Sequence, residues 1–364
     1  MEAGTAAGER TLDNKPELPA NVNILSLPLY KNAARPDRAA GTNSLPPLGQ
    51  HQTGRQRAFL KVQDGCDAHC TYCIIPRLRP MPVSKSIGDA LEEARRLVAS
   101  GHVEIVLTGI FLGAYGQATA LRRRQVKVGT APLAELVEAL CTKIPGLRRL
   151  RLSSLEPGDL SDQLLGVLAS HEQVVPHFHL PLQSGSDEML RRMNRQYRRD
   201  DFLGMIERVK AAFERPALTT DVIVGFPGET EKEFQRTVEV AEAARFIHIH
   251  AFPFSPRPGT AAARWAGQFV RGPIVNGRIE LLRQKSDQYS FEFRSTFVGQ
   301  VVEAITERDG ERGANPELRH GRCARYFPVW FDAPDVRAGD VVRVRVERVT
   351  PTRTFGMVEQ GGIE

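Results

Sequence analysis

Three cysteines stand close together in the segment DGCDAHCTYC, which covers residues 64–73. Their spacing, C-x3-C-x2-C, places Cys66, Cys70 and Cys73 in one short loop of a chain that has only five cysteines in 364 residues. Thiolates grouped this tightly are ligands for a soft metal centre. The spacing therefore indicates either a zinc site or an iron–sulfur cluster.

The two kinds of centre make different demands on the rest of the chain. A zinc site could add His69 as a fourth ligand, but such sites usually join two ligand pairs across a longer spacer. No second C-x-x-C or H-x-x-x-H pattern follows in the sequence. Three ligands without a fourth suit a four-iron cluster in which one iron stays open for a substrate. The sequence favours the cluster and leaves zinc as the alternative.

The composition fits a protein with reduced thiols. The N-terminal residues lack the basic and apolar regions of a signal peptide, and no run of about 18 apolar residues appears. We therefore expect a soluble, cytoplasmic protein in which cysteines stay free for metal binding. Cys141 lies on an apolar helix face and is predicted to be a core residue, whereas Cys323 lies in a different part of the chain. The net charge of +6 mildly favours a polyanionic partner.

The elements that must position the cysteine loop alternate between two periodicities. Helical spacing occurs in 86–101, where Ser86 can cap the first turn and Gly101 can end the helix, and again in 133–144. Short β-branched or alternating runs predict six strands, at 58–63, 103–109, 148–154, 177–182, 218–226 and 246–252. Such alternation forms parallel βαβ units, either in an open doubly wound sheet or in a partial barrel. In both folds the chemistry lies at the carboxyl ends of the strands, and the cysteine loop follows the first strand.

Two further patterns lie in these strands and beyond them. His177 and His179 alternate on one strand, as His248 and His250 do on another, which suits a paired-histidine metal site or strand residues that face the barrel. After a last helix near 275–297, the segment VVRVRVERV alternates cleanly and predicts a small basic β-domain at 297–361, of the size and charge of an OB-like nucleic-acid module. Its exposed Arg343 and Arg345 would contact RNA, or would simply form a solvated face.

The cysteine loop resembles that of radical S-adenosylmethionine (radical SAM) enzymes, in which an aromatic residue, here Tyr72, precedes the last cysteine. Five later segments resemble, in order and spacing, the radical methylthiotransferases, and in particular the tRNA enzymes that act on C2 of N6-threonylcarbamoyladenosine at position 37: TGIFLGAYG (108–116), RLSSLEP (151–157), HLPLQSGSDEMLRRMNRQY (179–197), TTDVIVGFPGET (219–230) and FPFSPRPGTAAA (252–263).

The resemblance implies a fold, a reaction and partners. It implies an α/β fold with a radical SAM partial (β/α)6 barrel at 56–296 and an OB-like TRAM domain at 297–361 that binds tRNA. The segment before them, 1–55, is predicted to be linker-like because it is rich in Ala, Gly, Asn, Pro and Arg. The implied cofactors are a [4Fe-4S] cluster and S-adenosylmethionine, which yield a 5′-deoxyadenosyl radical that starts methylthiolation of the base. An external electron donor such as flavodoxin or ferredoxin would supply the reducing electron.

The resemblance also implies roles for individual residues. Cys66, Cys70 and Cys73 would bind the cluster, with Tyr72 beside the cofactor. Further cofactor contacts would come from the backbone at Thr108 and Gly109, from Glu156, which could instead meet the substrate, from Gln183 and Ser184, and from the strand end at Val224 and Gly225. Arg195 and Tyr197 would meet the cofactor carboxylate or the tRNA. Each of these residues also has a structural interpretation as a cap, a turn former or a solvated helix face.

One expected feature of the family is not seen. Methylthiotransferases carry an N-terminal domain whose own three cysteines hold a second cluster, thought to deliver sulfur, and residues 1–65 contain no cysteine. We therefore expect that this auxiliary domain is lacking, which leaves three explanations: a truncated sequence, a separate chain that donates the sulfur, or simpler radical chemistry. The alternative is a non-catalytic tRNA-binding relative that cannot insert sulfur by itself.

Overall fold

The computed structural model describes residues 57–122, 131–308 and 318–363. All of them belong to one compact unit, Asn43–Glu364. The segment predicted to be linker-like, 1–55, lies outside the described residues. None of the helices in the described part of the chain is both long and apolar enough to cross a membrane.

A curved parallel sheet forms the body of the structure. The strands described before the last helix are β1 Arg57–Lys61, β2 Gln63–Asp64, β3 Val83–Ser84, β4 Glu104–Thr108, β5 Arg149–Leu152, β6 His177–His179, β7 Ala217–Val224 and β8 His248–Pro253. Strands β1, β4 and β5 form one parallel sheet, and β6, β7 and β8 form another. Backbone hydrogen bonds join the two sheets, from Leu150 N to the Gln173 carbonyl at 2.7 Å and from Val175 N to the Leu150 carbonyl at 3.1 Å.

The strand order decides between the two predicted architectures. The parallel strands follow one another around the sheet in chain order, β1-β4-β5-β6-β7-β8. A doubly wound sheet reverses its direction at a switch point, and this one does not. The partial-barrel prediction is therefore confirmed, and all six predicted parallel strands are present. Strand β6 ends earlier than predicted, at His179, because Pro181 cannot donate to a neighbouring strand.

Helices cover the outside of the barrel. They are α1 Ile75–Leu78, α2 Ile87–Ala99, α3 Pro132–Lys143, α4 Asp162–Ser170, α5 Asp187–Arg192, α6 Arg199–Ala212, α7 Glu231–Ala244 and α8 Gly272–Ser295. The predicted cap of α2 is confirmed, since the Ser86 hydroxyl accepts from Asp89 N at 3.1 Å. Helix α8 starts earlier than predicted because Pro273 fits the first turn, where no N–H is needed.

The two faces of the parallel strands have different surroundings. Ala58, Leu60, Ile105 and Leu107 are at most 1% exposed and belong to the core beneath the helices. Because side chains alternate along a strand, the intervening residues face the inside of the barrel, which we call the lumen. Phe59, on this inner face, is 42% exposed. The lumen is therefore open to solvent near the β1 edge.

A second, smaller barrel follows α8. Strands β9 Val301–Thr306, β10 Leu318–Cys323, β11 Pro328–Asp332, β12 Val341–Val349 and β13 Thr354–Ile363 close in the order β10-β11-β13-β12-β9. The alternation predicted for β12 is confirmed: Val342, Val344 and Val346 are fully buried, whereas Arg343 and Arg345 are exposed. The assignment of this barrel as a TRAM domain, and the domain limits at 56, 297 and 361, stay predictions.

The small barrel lies against the amino-terminal ends of the parallel strands. Arg57, the first residue of β1, forms an ion pair with Glu307 at 3.3 Å. His177, the first residue of β6, stacks on Tyr326 with ring centroids 4.8 Å apart. Since the cysteine loop follows the carboxyl end of β1, the small barrel and the cysteine loop are at opposite ends of the large barrel.

Tyr326 is the centre of this contact. Its ring receives the guanidinium groups of Arg57, Arg151 and Arg322 at 5.1, 4.8 and 4.7 Å. Burial, followed by the charge of Arg151, holds the pKa of His177 well below its ordinary value, so the stacked imidazole is neutral. The negative face of the Tyr326 ring attracts these guanidinium cations and so stabilises the contact.

Candidate active site

The start of the cysteine loop packs closely against the backbone of residues 79–81. Gly65 has φ 76°, and a Cβ at this position would lie 2.0 Å from the Met81 carbonyl oxygen. Directly after it, Cys66 N donates to the Arg79 carbonyl at 2.9 Å. Only glycine fits such a left-handed position against neighbouring backbone, so Gly65 sets where the first thiol begins.

The other half of the loop is held by the segment that follows α5. Thr71 donates from N to the Met193 carbonyl at 3.1 Å and from Oγ1 to the Arg192 carbonyl at 2.8 Å. The Asn194 side chain donates to the His69 carbonyl at 3.0 Å. His69 is therefore part of the anchoring of the loop, and LRRMNRQY positions it.

Two of the three loop sulfur atoms accept hydrogen bonds from the protein. Ala68 N donates to Cys66 Sγ at 3.4 Å, and Arg195 Nη1 donates to Cys70 Sγ at 3.3 Å. Burial raises the pKa of the Cys66 thiol to about 12 and also raises that of Cys73, so these thiolates need a cationic partner such as a metal centre. Among the described residues no three His, Cys, Asp or Glu side chains already converge as a metal site. The donor set, three sulfurs with hydrogen bonds to two of them, fits an iron–sulfur cluster.

Charged side chains form a network next to the thiols. Arg195 donates to the Tyr72 hydroxyl at 3.3 Å and pairs with the Glu156 carboxylate. Glu156 also accepts from Arg122 Nη2 at 3.0 Å, and Arg122 Nη1 lies 2.7 Å from Asp159 Oδ1. We call Arg122, Glu156, Asp159 and Arg195 the charge network. Its two cations and two carboxylates balance.

Burial shapes the protonation of the charge network. Burial raises the pKa of Asp159 to about 6, Arg122 opposes this rise and the negative charge of Glu156 adds to it. Burial alone would lower the pKa of Arg195, but Glu156, together with Tyr197, Tyr72 and Cys70, outweighs burial, and the pKa lies well above its ordinary value. Arg195 therefore keeps its positive charge beside the Cys70 sulfur.

A cavity of about 300 Å³ opens beside the charge network. It is lined by Ala68, Leu121, Arg122, Asn194, Arg195 and Gln196. Gln196 holds the cavity wall together, since its amide donates to the Ala120 carbonyl and accepts from Arg122 N, both at 2.9 Å. Most of the lining side chains are polar, so the cavity suits a small polar group.

The predicted backbone contact after β4 is tied to the cysteine loop. A Cβ on Gly109 would lie 2.9 Å from the Gln63 Cβ, so the position requires glycine. The fully buried Gln63 side chain donates to the Gly65 carbonyl at 2.8 Å and accepts from Phe111 N at 2.8 Å. The Thr108 carbonyl accepts from Val62 N at 2.9 Å. Because the Thr108 carbonyl already accepts this hydrogen bond, the Gly109 carbonyl is the better placed of the two to accept one from a ligand.

Gln183 and Ser184 have different surroundings. Gln183 has φ 61°, a strained conformation for a residue other than glycine, and its buried Oε1 has no hydrogen-bond partner among the described residues. A buried, unpaired amide oxygen at the end of a barrel strand suits a ligand contact. The Ser184 hydroxyl instead accepts from Ser186 N at 3.2 Å near the start of α5, so this side chain has a local structural task.

The strand end at Val224 and Gly225 offers backbone rather than side chains. Val224 is fully buried in the core beneath the helices, and its carbonyl accepts from Phe254 N at 2.8 Å. Gly225 has φ 74°, and a Cβ there would lie 2.5 Å from a Val275 methyl group.

Three predicted contact residues have other surroundings: Tyr197 is buried in the protein, and Arg343 and Arg345 lie away from the thiols. Tyr197 is 2% exposed, and its hydroxyl donates to the carbonyls of Pro181 and Leu182 at 2.7 and 3.0 Å. Its ring lies beneath the Arg195 guanidinium at 4.9 Å, so Tyr197 supports Arg195. Arg343 and Arg345 are in the small barrel, where both pair with Glu359 at 3.1 and 2.6 Å.

Several site residues were missed by sequence reasoning. Arg122 and Asp159 stand in no recognisable motif, and long-range packing brings them to the loop, whereas Gln63 directly precedes the loop in the chain. Asn194 and Gln196 lie inside the segment LRRMNRQY, and their amide side chains beside a predicted contact were the signal that could have identified them.

Comparison with known proteins assigns the class. The sequence profile of the Radical SAM superfamily matches residues 60–241, half of the chain. The chain therefore belongs to the Radical SAM superfamily. This membership confirms the predicted cofactor pair, a [4Fe-4S] cluster and S-adenosylmethionine.

Relatives confirm the resemblance to radical methylthiotransferases. The tRNA-2-methylthio-N(6)-dimethylallyladenosine synthase of Mycobacterium bovis is 39% identical over 342 residues, covering 90% of this chain and 65% of that protein. The threonylcarbamoyladenosine tRNA methylthiotransferase MtaB of Bacillus subtilis is 37% identical over 294 residues, covering 81% of this chain and 63% of that protein. The chain thus spans about 65% of the length of the relatives it matches. The solved structure of the radical S-adenosylmethionine methyltransferase TsrM from Kitasatospora setae is 15% identical, with a TM-score of 0.46 over 57% of this chain and 38% of that one.

Proposed function

We propose that this chain is a radical SAM enzyme of tRNA modification that methylthiolates C2 of N6-threonylcarbamoyladenosine at position 37. The observation that carries the proposal is the loop of three thiols beside the charge network, in a chain 37–39% identical to enzymes named for tRNA methylthiolation. The bound cluster and S-adenosylmethionine would supply a 5′-deoxyadenosyl radical able to take a hydrogen atom from the base.

The chain's own residues would position and shield this chemistry. Cys66, Cys70 and Cys73 would hold the cluster, while Arg195 offsets the negative charge on sulfur through its 3.3 Å contact with Cys70. Gln183 would direct its unpaired buried oxygen to the cofactor, and Gly109 would allow close approach of backbone.

The cavity lining supports the threonylcarbamoyl substituent over the dimethylallyl one. Both relatives act on an adenosine substituted at N6, but one substituent carries a carboxylate and the other is a hydrocarbon. Arg122, Arg195, Asn194 and Gln196 line the cavity, with Leu121 and Ala68 as its apolar residues. A carboxylate can accept further hydrogen bonds from guanidinium and amide donors, whereas a hydrocarbon gains nothing from a mostly polar wall.

Partners complete the proposal. Apart from the loop, the cysteines of the chain are Cys141 on α3 and Cys323 on β10, both buried and neither beside the loop thiols. The proposal also includes a separate sulfur-donating chain and an external reductant such as flavodoxin or ferredoxin. The small barrel, with Arg343 and Arg345, would bind tRNA. The second candidate is a tRNA-binding relative that does not insert sulfur by itself.

The test begins with protein reconstituted anaerobically with iron and sulfide. We expect about four irons per chain, and 5′-deoxyadenosine from S-adenosylmethionine after reduction. Stem-loop RNAs that carry either N6-threonylcarbamoyladenosine or N6-dimethylallyladenosine are then supplied with a sulfur donor, and the nucleosides are analysed by mass spectrometry. Methylthiolation of the RNA with N6-threonylcarbamoyladenosine supports the proposal. Methylthiolation of only the RNA with N6-dimethylallyladenosine would show that the proposed substrate is wrong. RNA binding without any 5′-deoxyadenosine would support the non-catalytic candidate.

A further inference from the structure

The lumen contains a group of polar side chains that the proposed cofactor contacts do not use. His179, Thr219, Asp221, His248 and His250 belong to three adjacent strands, in register as His179 with Thr219, Thr219 with His248 and Asp221 with His250. They alternate with residues such as Phe178, Leu218 and Val222, which are buried beneath the helices. These five polar residues therefore share the lumen face.

Asp221 joins two of these histidines. Its Oδ2 lies 3.2 Å from His179 Nε2, and its Oδ1 lies 3.2 Å from His250 Nδ1. Burial alone would raise the pKa of Asp221, but the hydrogen bond from His179 and further contacts with both histidines outweigh burial and lower it. Asp221 is therefore a carboxylate, which can only accept, so each histidine presents an N–H to it.

The direction of these hydrogen bonds fixes the tautomer of His250. With its proton at Nδ1 and directed to Asp221, neutral His250 has a lone pair at Nε2. Among the described residues nothing is hydrogen-bonded to that nitrogen, and the side chain is 65% exposed. His250 thus offers one oriented hydrogen-bond acceptor to a ligand in the lumen.

A packed aromatic residue links this acceptor to the cysteine loop. Phe252, the next lumen-facing residue toward the carboxyl end of β8, has its ring centroid 5.2 Å from that of His250. Phe252 in turn packs in the same apolar cluster as Tyr72 of the cysteine loop. His250 is therefore connected to the loop through Phe252 and this apolar cluster.

We propose that His250 is a substrate-binding residue that accepts, through Nε2, the N–H of the singly substituted exocyclic nitrogen of an adenine in the lumen, and that Asp221 is the positioning residue that fixes its tautomer. This inference rests on the proposed function, which supplies an N6-substituted adenosine as the ligand. Such a base keeps one N6–H donor. Because C6 and C2 flank N1 in one ring, anchoring the exocyclic nitrogen also fixes the direction of the C2–H bond.

The experiment measures binding to reconstituted protein with S-adenosylmethionine but without reductant, by fluorescence anisotropy. Two stem-loop RNAs are compared, one with an N6-monosubstituted adenosine and one with an N6,N6-dialkylated adenosine that has no N–H. We expect wild-type protein to prefer the first by about tenfold, the value of one hydrogen bond. His250→Phe should lose this preference, and His250→Gln should restore part of it, because its amide oxygen can reach the position of Nε2.

The control variant is His171→Phe, a histidine at the end of α4 that pairs with Glu138 outside the lumen; it should keep the wild-type preference. Thermal melting of each variant shows that the fold is intact. An equal preference in wild-type protein and His250→Phe would overturn the inference while leaving the proposed function standing. A wild-type protein that binds neither RNA would overturn both.

Discussion

Replacement of Glu156 by glutamine tests whether the charge network holds the cysteine loop. Glu156 is 12% exposed, and it pairs with Arg195 and with Arg122, which are 8% and 17% exposed. Glutamine keeps the size of the side chain but removes the charge. Arg122 keeps its 2.7 Å contact with Asp159, whereas Arg195 is left with the Tyr72 hydroxyl and the Cys70 sulfur.

The expected cost follows from that difference. Removing one partner of a buried ion pair costs about 3–5 kcal/mol. The glutamine at position 156 still offers a neutral amide oxygen to both guanidinium groups. We therefore expect the lower end of this range, about 3 kcal/mol of lost unfolding free energy. Urea denaturation of the cluster-free protein near neutral pH measures it. The control is Glu138→Gln, which breaks a pair whose carboxylate is 50% exposed and should change stability by about 0.5 kcal/mol or less.

The pH dependence gives a second measurement of the same network. Burial, together with the charge of Glu156, raises the pKa of Asp159 to about 6. A carboxyl with a raised pKa stabilises the fold while it is protonated, and this contribution is lost as the pH rises through the folded value. Wild-type stability should therefore fall between about pH 4 and pH 6, and Glu156→Gln should flatten this slope. Equal stabilities of Glu156→Gln and Glu138→Gln, with parallel pH profiles, would refute the reasoning.

Three further predictions concern other parts of the chain. Burial opposes ionisation of Glu307, but His320 and Arg322 hold its pKa at about 2. Glu307→Gln should therefore lower the unfolding free energy by roughly 2 kcal/mol near neutral pH, and the difference from wild type should shrink as the pH falls below about 4.5. Urea denaturation at several pH values measures this difference. Gly109→Ala should destabilise the cluster-free protein by about 1–3 kcal/mol through crowding against Gln63, whereas Gly204→Ala, where a Cβ meets nothing within 4 Å, should not; a loss equal in both would contradict the packing argument. Arg343→Glu with Arg345→Glu should weaken tRNA binding and lower the slope of log affinity against log salt by about 2, and an unchanged slope would exclude this face.

The local parts of the structure were predictable from sequence. The cap at Ser86 and the alternation of Val342 and Val344 need only neighbouring residues, and the structure confirms them. The position of the cysteine loop at the carboxyl end of β1 also followed from the order of elements.

Contacts between distant segments were not predictable. Arg122 and Glu156 meet only because two strand-to-helix loops converge at one end of the barrel, and no spacing in the sequence records this. Tyr197 stands in a motif beside a predicted ligand contact, but its hydroxyl reaches the carbonyls of Pro181 and Leu182 and is buried there. A polar aromatic residue in a motif therefore does not distinguish a ligand contact from a packed support.

The small barrel closes the amino-terminal end of the lumen of the large barrel. Arg149, Arg151 and Glu104 lie on the lumen face at the amino-terminal end, and each is at most 4% exposed. Arg149 donates to the Glu303 carbonyl at 2.7 Å, and Arg151 lies against Tyr326. Among the described residues, packed side chains therefore close the amino-terminal end of the lumen, whereas its side near β1 is open to solvent. The small barrel, which is expected to bind RNA, thus also closes the amino-terminal end of the lumen, so that a change at the contact between the two barrels alters both a surface and an interior.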